Sequence, residues 1–180
     1  MKKRSLIAVV LTLGILLAGC GSKASSGSDK DYVQILQDAR TDEFNESYAI
    51  LSNGENGFEV TGGNSEEMDD ENKQRMGDMI LEFMGLETAD MEKYALSVSL
   101  INVQSYGIAI IQPAEGSSEK VETALQNFIQ TQQAAYEFYL QDQYEIAKDA
   151  RLTQAADGSW VMVMCEDATA VNDSILNALK

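Results

Sequence analysis

Residues 94–112 read YALSVSLINVQSYGIAIIQ, and this stretch decides the fold. It contains two apolar runs, residues 94–103 and 106–112, which are rich in the β-branched and aromatic side chains favoured in strands. Two polar residues separate the runs, and Pro113, the only proline of the chain, follows the second run. A connection this short predicts that the two strands form an antiparallel hairpin.

The same pattern returns near the end of the chain. Residues 151–155 and 159–165 are predicted strands around the tight turn Ala156-Asp157-Gly158. A long helix from about residue 117 to 141 separates the hairpins, and a final helix is predicted over residues 167–179. The order β-β-α-β-β-α predicts an α+β fold, with an antiparallel sheet of two hairpins and helices packed mainly on one face. The inward face of the long helix is predicted to comprise Val121, Leu125, Phe128, Gln132, Ala135 and Tyr139.

N-terminal helices and a small hairpin are predicted before this core. Residues 32–40 have the spacing of a short helix, and residues 47–51 and 58–61 are predicted strands around a Gly/Asn-rich turn. Residues 65–85 predict a helix that opens with acidic side chains, which suit the positive end of the helix dipole. This segment is rich in methionine, so its side chains are predicted to fill the core or form a binding surface, with Cu(I) ligation as a further alternative.

The first twenty residues have the layout of a secretory signal. Three basic residues precede an apolar run over residues 6–17, which is too short to span a bilayer as a mature helix. The following Leu17-Ala18-Gly19-Cys20 resembles a bacterial lipobox, in which the cysteine is acylated and becomes the new N-terminus. Cys20 is therefore the predicted lipid anchor.

Three segments follow from this interpretation. Residues 1–19 are a predicted signal peptide, and residues 20–30 are the lipidated cysteine and a flexible, Gly/Ser-rich tether. Residues 31–180 are predicted to form a single extracytoplasmic α+β domain, a length that suits one hydrophobic core. The protein is expected on the outer face of the cell membrane, with the covalent lipid on Cys20 and no other cofactor.

Charge and composition exclude several classes of function. The mature chain would lose three of the 13 basic residues and keep all 29 acidic ones, which gives a net charge of −19. Such acidity argues against nucleic acid as a partner and against direct docking on anionic lipid. The chain has no histidine, which excludes His-based metal sites and Ser-His or Cys-His nucleophile pairs. Cys165 lies in an apolar run, which predicts a buried and inert thiol.

Other patterns of reactive residues have structural explanations. Ser117 and Lys120 match a Ser-x-x-Lys pattern, but the partner motifs of penicillin-recognising enzymes are absent, so Ser117 or Ser118 is interpreted as a helix N-cap. The acidic run over residues 66–71 lacks the spacing of an EF-hand loop. No pair of carboxylates stands out for glycoside hydrolysis. We therefore expect neither catalytic residues nor a metal site.

The candidate binding face lies on the long central helix. Residues 123–136 carry no charged side chain, although the chain as a whole is strongly acidic. The outward side of this segment is predicted to present Gln126, Asn127, Gln130, Gln133 and Tyr136. Amides donate and accept hydrogen bonds, and tyrosine adds a flat apolar surface with a polar tip. Such a face suits a neutral protein surface or a glycan.

Residues from these strands and helices also resemble a known family. The matching residues are Tyr94-Ala95-Leu96, Gly107-Ile108-Ala109-Ile110-Ile111, Gln133, Phe138-Tyr139, Gln143-Tyr144 and Gly158-Ser159-Trp160-Val161. Over residues 88–180, together with the lipobox, the chain resembles the bacterial domain of unknown function 4358 (DUF4358). The resemblance implies an envelope lipoprotein and implies no established catalytic residue. It also implies that the gene lies near genes for membrane-bound O-acyltransferases that modify envelope polymers.

Together these observations predict a membrane-anchored extracytoplasmic lipoprotein that serves as a non-catalytic interaction or accessory module of the cell envelope. Its expected partners are the membrane, through the lipid anchor, and an envelope protein. A glycan- or small-solute-binding lipoprotein is the main alternative, and a small envelope hydrolase is a third.

Overall fold

The computed structural model describes residues 30–55 and 57–180. The signal peptide, Cys20 and the tether up to residue 29 lie outside the described residues, so what the sequence predicts for them stays a prediction. Within the described ranges, no helix is both long and apolar enough to cross a membrane.

Six strands form one antiparallel sheet in the described part of the chain. They are β1 (Ile50–Gly54), β2 (Gly57–Thr61), β3 (Met91–Val98), β4 (Gly107–Pro113), β5 (Arg151–Gln154) and β6 (Trp160–Met164). Their order across the sheet is β2-β1-β3-β4-β6-β5. Both predicted hairpins, β3–β4 and β5–β6, are confirmed. The small hairpin β1–β2 extends the same sheet, because β1 pairs with β3.

Helices precede, separate and follow the hairpins, which confirms the α+β class. They are α1 (Tyr32–Ala39), α2 (Asp42–Ser47), α3 (Asp70–Met84), α4 (Ser118–Tyr136), α5 (Gln141–Lys148) and α6 (Ala168–Ala178), with short 3-10 turns at Ser65–Glu67 and Thr88–Asp90. Helix α5 was not predicted. The long helix ends at Tyr136, whose carbonyl oxygen accepts hydrogen bonds from the N–H groups of Tyr139 and Leu140, and the chain then starts a second helix.

The helices cover both faces of the sheet, which corrects the prediction that they pack mainly on one face. Helices α3, α4 and α5 cover the face where Ala109 of β4 is buried with Leu125 of α4. Helices α1 and α6 cover the opposite face, where Ile108 of β4 is buried with Ile175 of α6. The physical reason lies in the strands, because β3, β4 and β6 are apolar at consecutive positions, and such strands bury side chains on both faces.

The β3–β4 connection is longer than the sequence predicts. Strand β3 ends at Val98, which pairs with Gly107 at the start of β4. The residues between them, 99–106, form a loop that we call the β3–β4 loop. Ser99 starts the turn, because its side-chain oxygen accepts a hydrogen bond of 3.2 Å from the N–H of Ile101. The apolar residues after Ser99 therefore leave the sheet instead of extending it.

The two ends of the sheet carry different features. The loop end carries the β3–β4 loop, and the opposite end, called the Lys30 end, carries the β5–β6 turn and the first described residue. Lys30 forms an ion pair with Asp157 of that turn at 3.5 Å and donates a hydrogen bond to the carbonyl oxygen of Leu179. Lys93, near the start of β3, donates to the carbonyl oxygen of Lys30. Strand β3 then runs from this end to the loop end over 8 residues, which is about 25 Å.

Candidate binding surface at the loop end of the sheet

Part of the predicted binding face on α4 is exposed. Gln126, Asn127 and Gln130 lie exposed on the outward side of the helix. Gln133 is half-buried, and its Nε2 donates a hydrogen bond of 3.0 Å to the carbonyl oxygen of Ala147 in α5. Helix α5 packs along α4 and covers this side of it. Three of the four amides are therefore exposed, although Gln126 Nε2 donates a hydrogen bond of 3.0 Å to Glu122 Oε1, and the fourth, Gln133, is used inside the fold.

Tyr136 does not belong to an exposed face, which corrects the prediction. Its side chain is only 3% exposed, whereas Tyr139, predicted to point inward, is 71% exposed. Tyr136 is still part of α4 and lies on its buried face, one turn after the buried Gln132, whereas Ala135 is exposed. Tyr139 follows the end of α4, where helical spacing no longer applies. Burial raises the pKa of the Tyr136 hydroxyl, and the nearby backbone N–H of Gln104 partly offsets the shift.

Large apolar side chains are exposed on three elements that meet at the loop end. We call this set the apolar rim. It comprises Met79 and Phe83 of α3, Leu100, Ile101 and Val103 of the β3–β4 loop, and Phe138 and Tyr139 of the α4–α5 turn. Single exposed apolar residues are ordinary on a protein surface, but a gathered set of this size is a candidate interaction site.

Contacts of α3 place its rim residues beside the β3–β4 loop. Leu100 and Ile101 line a crevice of about 160 Å³ together with Met76 and Ile80 of α3. Phe83, on the same side of that helix, meets Phe128 of α4 edge-on, with ring centroids 5.3 Å apart. The ring of Phe128 in turn lies against Gly107, the first residue of β4.

Contacts of α5 place the α4–α5 turn beside the same loop. Ser105 donates its N–H to Oε1 of Gln143 at 2.8 Å, and its hydroxyl donates to the carbonyl oxygen of Gln143 at 2.8 Å. The α4–α5 turn immediately precedes this first turn of α5, and it holds Phe138, which is 92% exposed. The rim therefore extends from α3 across the β3–β4 loop to the α4–α5 turn.

Sequence reasoning missed the rim because the apolar residues 100, 101 and 103 were assigned to a strand. The available signal was the interruption of that run by Ser99 and Asn102, two residue types that favour turns. The Met-rich helix also has a mixed outcome, because Met84 is buried in the core and Met79 belongs to the rim. The predicted core role is therefore confirmed for Met84, and the predicted binding role stays a prediction for the exposed Met79.

A buried arginine braces the loop end on the other face of the sheet. Arg40, between α1 and α2, is 7% exposed and donates from Nη1 to Ser97 Oγ and to the Tyr106 hydroxyl, both at 2.8 Å. Its Nε donates to Asn45 Oδ1 at 2.6 Å, and its Nη2 donates to the carbonyl oxygen of Tyr48 at 2.8 Å. All four acceptors are neutral, so the guanidinium charge is dispersed over dipoles and not paired with a carboxylate.

A cavity of about 610 Å³ adjoins the rim on this face. Gln104 and Ser105, the residues that follow Val103 of the rim, form part of its wall. Three exposed carboxylates also line it: Glu43 of α2 and Glu166 and Asp167 of the β6–α6 turn. The cavity shares Ile146, Cys165, Glu166, Asp167 and Ala170 with a second cavity of about 580 Å³. The two form a continuous acidic groove beside the rim.

A family model with the description "Domain of unknown function (DUF4358)" matches residues 64–165, more than half of the chain. The chain belongs to the DUF4358 family. The match begins before the predicted residue 88, so it includes α3, and it ends at Cys165, so it leaves out α6. All seven rim residues fall within the match, whereas Arg40 and Glu43 fall outside it. Neither the search of curated proteins nor the search of solved structures found a match.

The remaining reactive groups of this DUF4358 protein serve the fold. Burial, together with the nearby Asp167 and Glu166, raises the pKa of the Cys165 thiol to about 12, so it carries almost no thiolate at neutral pH. Ser117 precedes α4 as predicted, but its hydroxyl donates to Asp90 Oδ1 at 2.6 Å, and its oxygen accepts no hydrogen bond from a backbone N–H of the helix. Lys120 also donates to Asp90, at 2.9 Å. These two contacts lower the pKa of Asp90 and join α4 to the turn before β3.

The acidic residues at the start of α3 belong to the turn and the cap that begin this helix. Glu66 and Glu67 lie in the 3-10 turn, and Asp69 caps α3 by accepting a hydrogen bond of 2.8 Å from the N–H of Asn72. In the portion of the chain that the structure describes, no three His, Cys, Asp or Glu side chains form a cluster that would hold a metal ion.

Proposed function

We propose that this protein is a membrane-anchored extracytoplasmic lipoprotein, attached through a lipid on Cys20, and that it acts as a non-catalytic interaction module of the cell envelope. In this proposal the apolar rim binds an envelope protein. The observation that carries the proposal is the position of the rim at the opposite end of the sheet from Lys30, the last residue of the predicted tether. The attachment point of the tether would then lie at the other end of the domain and would not cover the rim.

The composition of the rim suits a protein partner. Phenylalanine, tyrosine and methionine are enriched in the centres of protein interfaces, and the rim contains Phe83, Phe138, Tyr139 and Met79. Aromatic side chains also provide most of the binding energy in many interfaces, because they bury a large area with few rotatable bonds. The family resemblance favours a membrane protein of the O-acyltransferase type as the partner.

The charge of the chain argues against lipid as the partner of the rim. The full chain carries a net charge of −16, and removal of the basic signal peptide would increase its magnitude. Anionic headgroups repel such a domain, whereas a protein surface can be complementary in charge. We therefore assign the rim to a protein contact and the membrane attachment to the lipid on Cys20.

Site-specific photo-crosslinking in living cells tests the role of the rim. A photo-crosslinking phenylalanine analogue replaces Phe138 in the rim, and a control replaces Glu115, which is exposed before the start of α4 near the Lys30 end. We expect one reproducible protein adduct from position 138 and none of that size from position 115. Adducts with lipid alone at position 138, or identical adducts from both positions, would overturn the proposal.

Membrane attachment requires its own test, because it depends on residues outside the described ranges. The variant Cys20→Ala is expected to shift the protein from the membrane fraction to the soluble extracytoplasmic fraction, since acylation of the cysteine would be lost. Metabolic labelling with a fatty acid should mark the wild-type chain and not the variant. A variant that stays on the membrane at the wild-type level would contradict anchoring through Cys20.

The cavity beside Arg40 supports a second candidate function, the binding of a small solute or glycan. Its volume of about 610 Å³ lies within the range of small-molecule pockets, and it combines polar groups with the ring of Phe44. A ligand that binds only the folded state raises the melting temperature by mass action. A thermal-shift screen of envelope glycans would support this function if one compound stabilised the wild type and not a Phe44→Ala variant.

A further inference from the structure

We infer that the partner segment recognised at the loop end carries basic side chains next to apolar ones, so that its apolar residues cover the rim while its lysine or arginine residues enter the acidic groove. This inference rests on the proposed function and names the chemistry of the partner. The carrying observation is continuity, because Val103 belongs to the rim and the next two residues, Gln104 and Ser105, line the cavity. One bound segment would therefore contact both surfaces.

The accessible charges of the groove are mostly negative. Glu43, Glu166 and Asp167 are exposed around the first cavity, whereas the guanidinium of Arg40 is buried and already donates four hydrogen bonds. The second cavity adds three further exposed carboxylates, Glu145, Asp149 and Asp173. Its exposed basic residue is Arg151, whose Nη2 donates to Thr169 at 3.0 Å. A cationic side chain placed in this groove would thus gain attraction from several carboxylates.

The same charges argue against two other occupants of the rim. A second copy of this chain would bring an equally acidic groove toward the first, and the repulsion opposes a symmetric dimer. An anionic bilayer would meet the same repulsion at the groove when the rim approached it. A protein segment that combines apolar and basic residues is the occupant that satisfies both parts of the surface.

Binding of designed peptides tests the inference. The full-length protein is placed in phosphatidylcholine nanodiscs, and fluorescence anisotropy follows an amphipathic helical peptide of leucine and lysine, with empty nanodiscs as the blank. A matched peptide has glutamine in place of every lysine. We expect the lysine peptide to bind about tenfold more tightly than the glutamine peptide, the difference expected for a few partly exposed charge pairs. Equal affinities would overturn the inference.

Two triple variants separate a local site from the overall charge. The site variant combines Glu43→Gln, Glu166→Gln and Asp167→Asn. The control variant combines Glu87→Gln, Glu115→Gln and Glu119→Gln, which removes the same charge from exposed residues that lie outside both cavities. We expect the site variant to lose most of the preference for lysine and the control variant to change it by less than about twofold. Equal losses would show that net charge alone attracts the peptide and would overturn the inference.

A rim variant distinguishes failure of this inference from failure of the proposed function. Ile101→Ser combined with Phe138→Ser is expected to weaken both peptides, because both require the apolar contact. If the wild type binds the lysine and glutamine peptides equally well, but the rim variant binds both more weakly, the inference would be overturned and the proposed function would remain supported. If the rim variant binds both peptides as tightly as the wild type does, and position 138 gives no protein adduct, the proposed function itself would be overturned.

Discussion

Arg40 and Tyr106 are joined by a hydrogen bond of 2.8 Å from the guanidinium Nη1 to the phenolic oxygen. The contact links the junction of α1 and α2 to the last residue of the β3–β4 loop, 66 positions later in the chain. The ring of Tyr106 also stacks on Tyr48 at a centroid distance of 4.0 Å. Arg40 therefore fixes the position of the residues that separate the acidic groove from the sheet. Its guanidinium N–H groups donate to neutral acceptors within the fold.

Loss of this guanidinium should destabilise the fold. Arg40→Met is expected to lower the free energy of unfolding by roughly 2–4 kcal/mol, because buried oxygens, including those of Ser97 and Tyr106, lose their donors. Urea denaturation measures the change. Arg40→Lys keeps the positive charge but lacks the planar guanidinium group. Its free energy of unfolding should lie between those of Arg40→Met and the wild type. A stability of Arg40→Met equal to that of the wild type would contradict the bracing role.

Two tyrosines near the end of α4 provide a test of the packing. Tyr136→Ala is expected to lower the free energy of unfolding by roughly 3 kcal/mol, because its buried ring fills space between α4 and Gln104. Tyr139→Ala should change it by less than about 0.5 kcal/mol, since that ring is exposed. Chemical denaturation of both variants measures the two changes in the free energy of unfolding. A larger loss for Tyr139→Ala would favour the inward face predicted from the helical spacing.

A close backbone contact makes Gly63 sensitive to substitution. A Cβ atom at this position would lie 2.3 Å from the backbone nitrogen of Ala49, and its φ of +54° already disfavours other residues. Gly85, with a φ of +66° and no neighbouring atom near its Cβ position, is the matched control. We expect Gly85→Ala to cost about 1 kcal/mol and Gly63→Ala to cost roughly 2 kcal/mol more, measured by thermal unfolding. Equal costs would show that this contact relaxes freely.

Reactivity of Cys165 should depend on unfolding. In a Cys20→Ser background, where Cys165 is the remaining thiol, a thiol reagent at pH 8 is expected to label the native protein slowly and the urea-unfolded protein rapidly. Fast labelling of the native state would place the thiol at the surface and contradict its burial.

The raised pKa of Cys165 also predicts a pH dependence of stability. Burial raises this pKa from 9.0 in the unfolded chain to about 12 in the folded one, so between these values the unfolded chain releases a proton that the folded chain keeps. Stability is therefore unaffected by this group below about pH 9 and falls as the pH rises toward 12. Comparison with Cys165→Ala removes the contribution of the buried tyrosines, and an identical alkaline decline in both proteins would contradict the prediction.

Local patterns in the sequence were sufficient for the fold class and for most elements. The alternation of apolar runs and turn residues predicted both core hairpins, and helical spacing predicted α4 with Val121, Leu125 and Phe128 inward. These features depend on contacts between residues close in sequence, or on burial that any core would provide. The same patterns failed at Ser99 and at Tyr139, because spacing has no meaning beyond the end of a strand or helix. They also failed inside α4 at Tyr136, which is buried although it was predicted to point outward.

The sequence by itself determined the α+β class, the order of the core elements and the acidic character of the chain. Only the tertiary structure decided that helices cover both faces of the sheet, that Gln133 bonds to Ala147, and that three separate segments bring their apolar side chains to one end. The physical reason is that these outcomes depend on which distant surfaces come into contact. Arg40 donates hydrogen bonds to Ser97, which is 57 positions later in the chain, and to Tyr106, which is 66 positions later. No local pattern specifies such a pairing.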